Sequence, residues 1–242
     1  MSLLIFDCDG VLVDSEVIAF DVLRQMLEGL GRPMSLAECR RRFMGRRTPE
    51  VLAEIERDLG RPIPADMGAR MKALLFERLR RELKPVPGVE EAIAHLPRQI
   101  CVASSSSPER IALSLDVTGL APLFGAHVFS AEQVAHGKPA PDLFLFAAQS
   151  MGMMPDETIV IEDSVAGVTA ARRAGMGIIG FAGASHADAD LIAALHAAGA
   201  SIRLAAMMVF FIGILPGERV EVERCSSRGR CFGTRAIIRR IR

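Results

Sequence analysis

Apolar and polar positions along the chain follow two periods. Short unbroken apolar runs occur at Leu3–Phe6, Ile100–Ala103, Val128–Phe129, Thr158–Ile161 and Gly177–Phe181. Runs of this length and composition predict strands buried on both faces. Between them the apolar residues recur every three to four positions. Ile18, Val22, Leu23, Met26, Leu27 and Leu30 predict a helix running to about Leu30, with Ser15 or Asp14 as its cap. Ser35 with Glu38 three residues on predicts a second helix ending near Phe43–Gly45. Thr48-Pro49-Glu50 starts a third, reaching Leu59, with Thr48 as the expected cap. A fourth spans roughly Ala65 to Leu83. No strand is expected between residues 16 and 84, so this stretch reads as a small helical bundle set directly behind the first strand.

From Lys84 onward the periods alternate. Helices are expected over Val89–Leu96, Pro108–Thr118, Asp142–Met151 and Val165–Ala174, placed between strands, and over about Asp188–Ala198 after the last of them. Strand–helix alternation predicts an α/β fold with a doubly wound parallel sheet. The domain plan is then a core of residues 1–15 and 85–199, a helical cap of residues 16–84, and a remaining segment, 200–242.

The ends of the strands carry the chemistry. Leu3–Phe6 stops at Asp7-Cys8-Asp9-Gly10. In extended backbone, residues i and i+2 share a side, so both carboxylates can address one volume past a strand end, where open α/β sheets bind ligands. Close acids repel unless a cation or shared proton intervenes, and a hard ion such as Mg²⁺ with oxygen ligands suits them. Ser104-Ser105-Ser106-Ser107 follows the second strand, and Glu162-Asp163 ends the fourth. His136-Gly137-Lys138-Pro139-Ala140-Pro141 is a proline-framed loop whose lysine could reach the same edge. The serines also fit a plain turn, and Lys138 and Glu162 also fit solvated surface charges. Asp14 is expected to cap or brace its turn, and His127 and His136 to be structural.

Composition narrows the class. Half of the 242 residues are apolar, enough for a sizeable core. There is no Trp or Tyr to stack bases, and Lys+Arg equals Asp+Glu at 29 each, so neither composition nor charge indicates a nucleic-acid partner. Only Lys72, Lys84 and Lys138 are lysines, which makes each informative. The five cysteines are scattered, as in a reduced cytoplasmic protein. The first apolar run is too short for a signal peptide or a membrane span.

Four motifs in order, Asp7-x-Asp9-Gly10-x-x-x-Asp14, Ser104, Lys138, and Glu162-Asp163 in I-E-D-S-x-A-G, resemble those of the haloacid dehalogenase superfamily over about residues 2–199. The similarity is to its capped subfamily I, in the branch of phosphoglycolate phosphatases and β-phosphoglucomutases. The resemblance implies a Mg²⁺-dependent phosphatase acting on a small phosphorylated metabolite, a sugar phosphate or sugar-acid phosphate. It implies Asp7 as nucleophile forming an aspartyl-phosphate, and Asp9 as general acid and base. Ser104 and Lys138 would hold phosphoryl oxygens, with Ser105 beside them. Asp7, Asp163 and the Asp9 carbonyl would hold the metal, and Glu162 would be a further ligand or an outer acceptor. Dehalogenases lack the second aspartate, so Asp9 favours phosphoryl transfer. Related mutases carry a histidine early in the first cap helix, where this chain has Val17-Ile18-Ala19-Phe20, which favours a phosphatase over a β-phosphoglucomutase-like phosphomutase. The other alternative is a non-catalytic phosphoester-binding module. Gly45, Arg46 and Arg47 fall at the cap's specificity loop. Its arginines either meet a second anionic group on the substrate or continue the basic run from Arg40 as a solvated face. No membrane or nucleic-acid partner is expected, and the protein is expected to be a monomer or weak homodimer.

Residues 200–242 break the pattern. They hold nine arginines and three glutamates, +6 overall, which leaves −6 on the preceding 199 residues. The last edge strand and acidic, leucine-rich turn that the resemblance implies are not expected here. An altered reading frame near residue 200 is the favoured reading of this basic tail, ahead of a membrane-surface hook, a nucleic-acid-binding arm or a hairpin from Gly217 to Ile238.

Overall fold

A computed structural model describes residues 2–94, 96, 99–203, 219–223 and 237–241. Six strands, β1 (Leu3–Phe6), β2 (Gln99–Ser104), β3 (Val128–Ser130), β4 (Thr158–Glu162), β5 (Gly177–Phe181) and β6 (Ser201–Arg203), form one parallel sheet in the order β3-β2-β1-β4-β5-β6. The α/β doubly wound plan therefore holds. The strand nearest the N-terminus lies in the middle, with Phe6 level with Val102 on one side and Ile161 on the other.

Alternation along β1 splits the core in two. Leu4 and Phe6 face one side with Val102 and Ile161, and are covered by α5 (Val89–Ala94), α6 (Pro108–Val117) and α7 (Ala121–Phe124). Phe6 meets Phe124 edge-on, with ring centroids 6.1 Å apart. Leu3 and Ile5 face the other side with Cys101, Ala103 and Val160, under α8 (Asp142–Ser150) and α9 (Val165–Arg173). Such burial on both faces is why these strands are unbroken apolar runs rather than alternating ones.

Four helices, α1 (Glu16–Gly29), α2 (Leu36–Phe43), α3 (Thr48–Leu59) and α4 (Met67–Glu82), lie between β1 and β2 in sequence. Their apolar faces (Val22, Leu27, Phe43, Ile55 and Leu79 among them) join the Leu4/Phe6 side of the core. Their polar faces are tied by arginines. Arg78 on α4 reaches Asp21 on α1 at 2.5 Å, and Arg42 on α2 reaches Glu54 and Asp58 on α3 at 2.6 Å each. The chain leaves for and returns from these helices through two adjacent segments: Asp14 N–H donates to Lys84 O and Val86 N–H to Leu12 O.

Three local expectations change. Ser15 makes no side-chain cap on α1, because its hydroxyl donates instead to the buried carboxylate of Asp9. Thr48 lies inside α3, and Arg47 holds the cap position. The sheet also continues past residue 199, because Ser201–Arg203 pairs with Ile179–Phe181 as a last edge strand. Beyond it, β7 (Arg219–Glu223) and β8 (Ile237–Ile241) pair antiparallel, as in the hairpin alternative. The apolar stretch Leu204–Leu215 lies outside the described residues. Among the described residues no helix is long and apolar enough to cross a membrane.

Candidate active site

The carboxyl ends of β1, β2 and β4 converge beneath α1–α4. Asp7 is the first residue past β1, and its N–H donates to Ile161 O at 2.9 Å on β4. The turn after Asp9 requires glycine: Gly10 has φ +81°, and a Cβ there would stand 1.8 Å from Asp163 Oδ2. Ser104 closes β2, Glu162 closes β4, and Asp163 follows it. Lys138 comes in from the proline-framed loop. All four sequence motifs thus reach one cavity, which Asp7, Asp9, Ser104, Ser105, Lys138, Glu162 and Asp163 line together.

Lys138 is the hub. It is 3% exposed, and its Nζ donates to Asp7 Oδ1 at 2.6 Å, Glu162 Oε1 at 2.6 Å and Ala103 O at 3.1 Å. Its nitrogen also lies 4.8 Å from the centre of the Phe144 ring. Burial opposes its charge, but the two carboxylates outweigh burial and hold its pKa above the usual lysine range. Glu162 has both oxygens engaged: Oε1 takes Lys138, and Oε2 takes the N–H and hydroxyl of Ser164 at 2.7 and 2.8 Å. Gly167 allows this, because a Cβ there would lie 1.9 Å from the Glu162 carboxyl carbon. Burial pushes Asp7 well above the carboxylate range despite Lys138, and Glu162, Asp163 and Asp9 push it further. Among the described residues no hydrogen bond reaches Asp7 Oδ2.

Asp9 is set the opposite way. Burial raises it, but Arg110 and hydrogen bonds from Ser106, Ser15 and Arg110 more than offset this and hold it below the carboxylate range. Arg110 donates to Oδ1 and Ser106 to Oδ2, both at 2.6 Å. Asp7 and Asp9 are two residues apart, yet their surroundings shift their pKa values in opposite directions.

The carboxylate of Asp163 is left over. Burial and Glu162 raise its pKa. Its Oδ2 is buried without a hydrogen-bond donor. His186 Nε2 is 3.1 Å away but not aligned to donate, and burial holds His186 below its ordinary pKa, so it is no counter-charge. The oxygens at this edge are hard donors, and an orphaned buried anion among them fits a divalent cation. Among the described residues no three His, Cys, Asp or Glu side chains already form a metal cage. The side chains left to take such an ion are those of Asp7, through Oδ2, and Asp163. The Glu162 and Asp9 side chains, named with them in the sequence, are committed to other partners.

The cap-loop expectations divide. Gly45 has φ +73°, accepts the Ser105 hydroxyl at 3.2 Å, and would place a Cβ 2.7 Å from Ser164 Oγ. It thus touches the ends of both β2 and β4. Arg46 lines the cavity but pairs with Glu54 and, at 4.0 Å, with Glu50. Arg47 pairs with Glu50 at 2.7 Å and packs against Gly137, outside the cavity lining. Asp14 braces a core loop by accepting the Ser185 hydroxyl at 2.8 Å.

Sequence reading misses Ser15, Glu16, Ser106, Arg110 and His186. Arg110 has a usable signal: Ser107 caps α6 by accepting Arg110 N–H, which puts this arginine in the first turn of the helix after the second motif. Glu16, the first residue of α1, lines the cavity, and burial with Asp9 and Asp163 pushes its pKa up to about 8.

Comparison with known proteins agrees with this geometry. A family model for haloacid dehalogenase-like hydrolases matches residues 1–175. A phosphorylated carbohydrates phosphatase of Thermotoga maritima is 34% identical over 183 residues, covering 73% of this chain and 82% of that protein. A fructose-1-phosphate phosphatase of Escherichia coli is 32% identical over 175 residues, covering 72% and 92%. The crystal structure of a haloacid dehalogenase-like protein of unknown function from Agrobacterium tumefaciens is 39% identical, with a TM-score of 0.76 over 87% of this chain and 96% of that one.

Proposed function

Because the chain belongs to the haloacid dehalogenase-like hydrolases and is a phosphoric monoester hydrolase, we propose that it cleaves a small phosphorylated carbohydrate with Mg²⁺, through an aspartyl-phosphate on Asp7. The observation that carries this reading is the convergence of Asp7, Asp9, Ser104, Lys138 and Asp163 on one cavity, with Lys138 holding Asp7 by Oδ1.

Lys138 fixes the rotation of Asp7 and leaves Oδ2 to attack phosphorus. As the Asp7–phosphorus bond forms, the ester P–O bond breaks, and Asp9 delivers a proton to the leaving oxygen. Asp9 then takes a proton from water as that water attacks phosphorus, which releases phosphate and returns Asp7 to its carboxylate. Arg110 with the Ser15 and Ser106 hydroxyls favours the charged form of Asp9, so the proton it delivers enters with the substrate, passed to Asp9 from the phosphoryl group of the monoester monoanion. Ser104, whose oxygen accepts Ser106 N–H at 3.1 Å, retains its hydroxyl proton for a phosphoryl oxygen. Glu162 acts by bracing Lys138. Asp7, Asp163 and the Asp9 carbonyl would hold the metal. When bound, Mg²⁺ lowers the repulsion between phosphoryl oxygens and carboxylates. Residues 16–84 serve as the cap that closes over a core of residues 1–15 and 85–199, and exclude water during transfer. No histidine lines the cavity among the described residues, which supports water rather than a second sugar hydroxyl as acceptor.

Release of p-nitrophenol from p-nitrophenyl phosphate with Mg²⁺ tests the reading, together with acid-quenched trapping of phosphate on the protein. Asp7→Asn is expected to abolish both signals. Wild-type protein that is folded yet inert on phosphate esters, or an Asp7→Asn variant keeping a tenth of the activity, overturns it.

A further inference from the structure

The cavity above Asp7 has an ionic floor and an apolar roof. Phe20 and Leu23 of α1, Phe43 of α2, Val51 of α3, and Met71 and Leu75 of α4 make the roof, and all six are buried. The charges around the space are five carboxyls (Asp7, Asp9, Glu16, Glu162 and Asp163) against three cations (Arg46, Arg110 and Lys138). Each cation is already engaged. Arg110 is on Asp9, Lys138 is on Asp7 and Glu162, and Arg46, the one cation contributed by the roof, is on Glu54 and Glu50. The neighbouring Arg40, Arg42 and Arg47 are paired too. One phosphoryl group can be accommodated on the floor. A second anion, carried on the leaving alcohol, would lie against Phe and Leu side chains near Glu16, and among the described residues the cavity lining offers no unpaired cation to meet it. A buried charge without a partner is strongly disfavoured.

We propose that this site selects monophosphates of uncharged alcohols that present an apolar face, and turns away phosphorylated sugar acids and bisphosphates. The proposal rests on the phosphatase reading for its substrate class, and it narrows that class on the side of the leaving group. The same pairing that blocks a second anion is reversible by mutation. Loss of Glu54 frees Arg46, on the cavity wall, and the cavity then gains the missing cation.

Non-hydrolysable phosphonates separate selection from turnover. Propylphosphonate and 3-phosphonopropionate differ by exchange of a terminal methyl for a carboxylate. Calorimetric titration of the full chain with Mg²⁺ is expected to give at least tenfold tighter binding of propylphosphonate. In Glu54→Gln, or in Glu50→Gln should the first variant not fold, that ratio is expected to narrow at least threefold. Equal or tighter binding of 3-phosphonopropionate by the wild type, or no binding of either compound, overturns the proposal. Preserved preference in a protein inert on p-nitrophenyl phosphate leaves the selection standing and removes the phosphatase reading instead.

Discussion

Replacing Lys138 by Met removes the only side chain that bonds both Asp7 and Glu162 among the described residues, while keeping a long apolar stem beside Phe144. Two 2.6 Å contacts to one nitrogen keep Asp7 Oδ1 and Glu162 Oε1 no more than about 5 Å apart. Two unit charges at that separation repel by about 3 kcal/mol at an effective dielectric constant of about 20. Truncating one partner of a buried ion pair costs about 3–5 kcal/mol by mutation, so the two routes agree. For a chain of 242 residues the expected fall in melting temperature is about 6–12 °C. The loss should depend on pH with a definite sign. Without the ammonium, Asp7 loses the one charge that lowers its pKa and titrates further above its unfolded value, so the folded state holds the extra proton. Stability then declines as pH rises from about 4 through the folded value. Urea unfolding in EDTA at pH 5 and pH 8 is the assay. The variant is expected to lose at least about 1 kcal/mol more at pH 8 than at pH 5. Adding Glu162→Gln is expected to recover about half of the loss, because one of the facing charges is gone. A loss below about 1 kcal/mol, or one identical at both pH values, refutes the buried-hub reasoning.

Two other perturbations follow from the same region. Gly167→Ala improves helix propensity by up to about 1 kcal/mol, but its Cβ would overlap the Glu162 carboxyl; turnover of p-nitrophenyl phosphate should fall at least about tenfold as Glu162 shifts off Lys138, and a fully active variant would show that Glu162 does not brace it. Glu16 has its pKa pushed up to about 8, so it lowers stability increasingly as pH rises from about 4.3 to 8; Glu16→Gln should gain about 3–4 kcal/mol over wild type at pH 8 relative to pH 5, and parallel pH profiles in urea unfolding would contradict this.

What the sequence reveals of this molecule depends on how local the cause is. The runs at β1, β2 and β4 are legible because the middle of each strand is covered on both faces, so its central positions are apolar. Gly10 is legible because it directly follows two acids at a strand end. The edge strand Ser201–Arg203 is not, because three residues at a sheet margin need no apolar run. Ser15 illustrates competition: it stands where a helix cap belongs, but an anion buried by tertiary packing claims its hydroxyl. Arg110 lies 101 positions from Asp9, and no short-range pattern joins them. Arg47 and Glu50 are the reverse case. They stand three positions apart, a spacing at which helical side chains meet, and the pair they form takes neither course expected of Arg47, a substrate anion or a solvated face.

The central place of β1 also has a consequence for synthesis. Its neighbours in the sheet begin at Gln99 and Thr158, so the strand that leads into Asp7 is made well before either and completed late. At about 5–20 residues per second, roughly 10–30 s separate the emergence of Ile5 from that of Val160, its partner on β4. Throughout that interval the four helices α1–α4 can close contacts among themselves at short sequence distance, and such contacts form fast. A nascent chain therefore builds its roof before its floor, and the helices shelter an apolar strand that has no finished sheet to join.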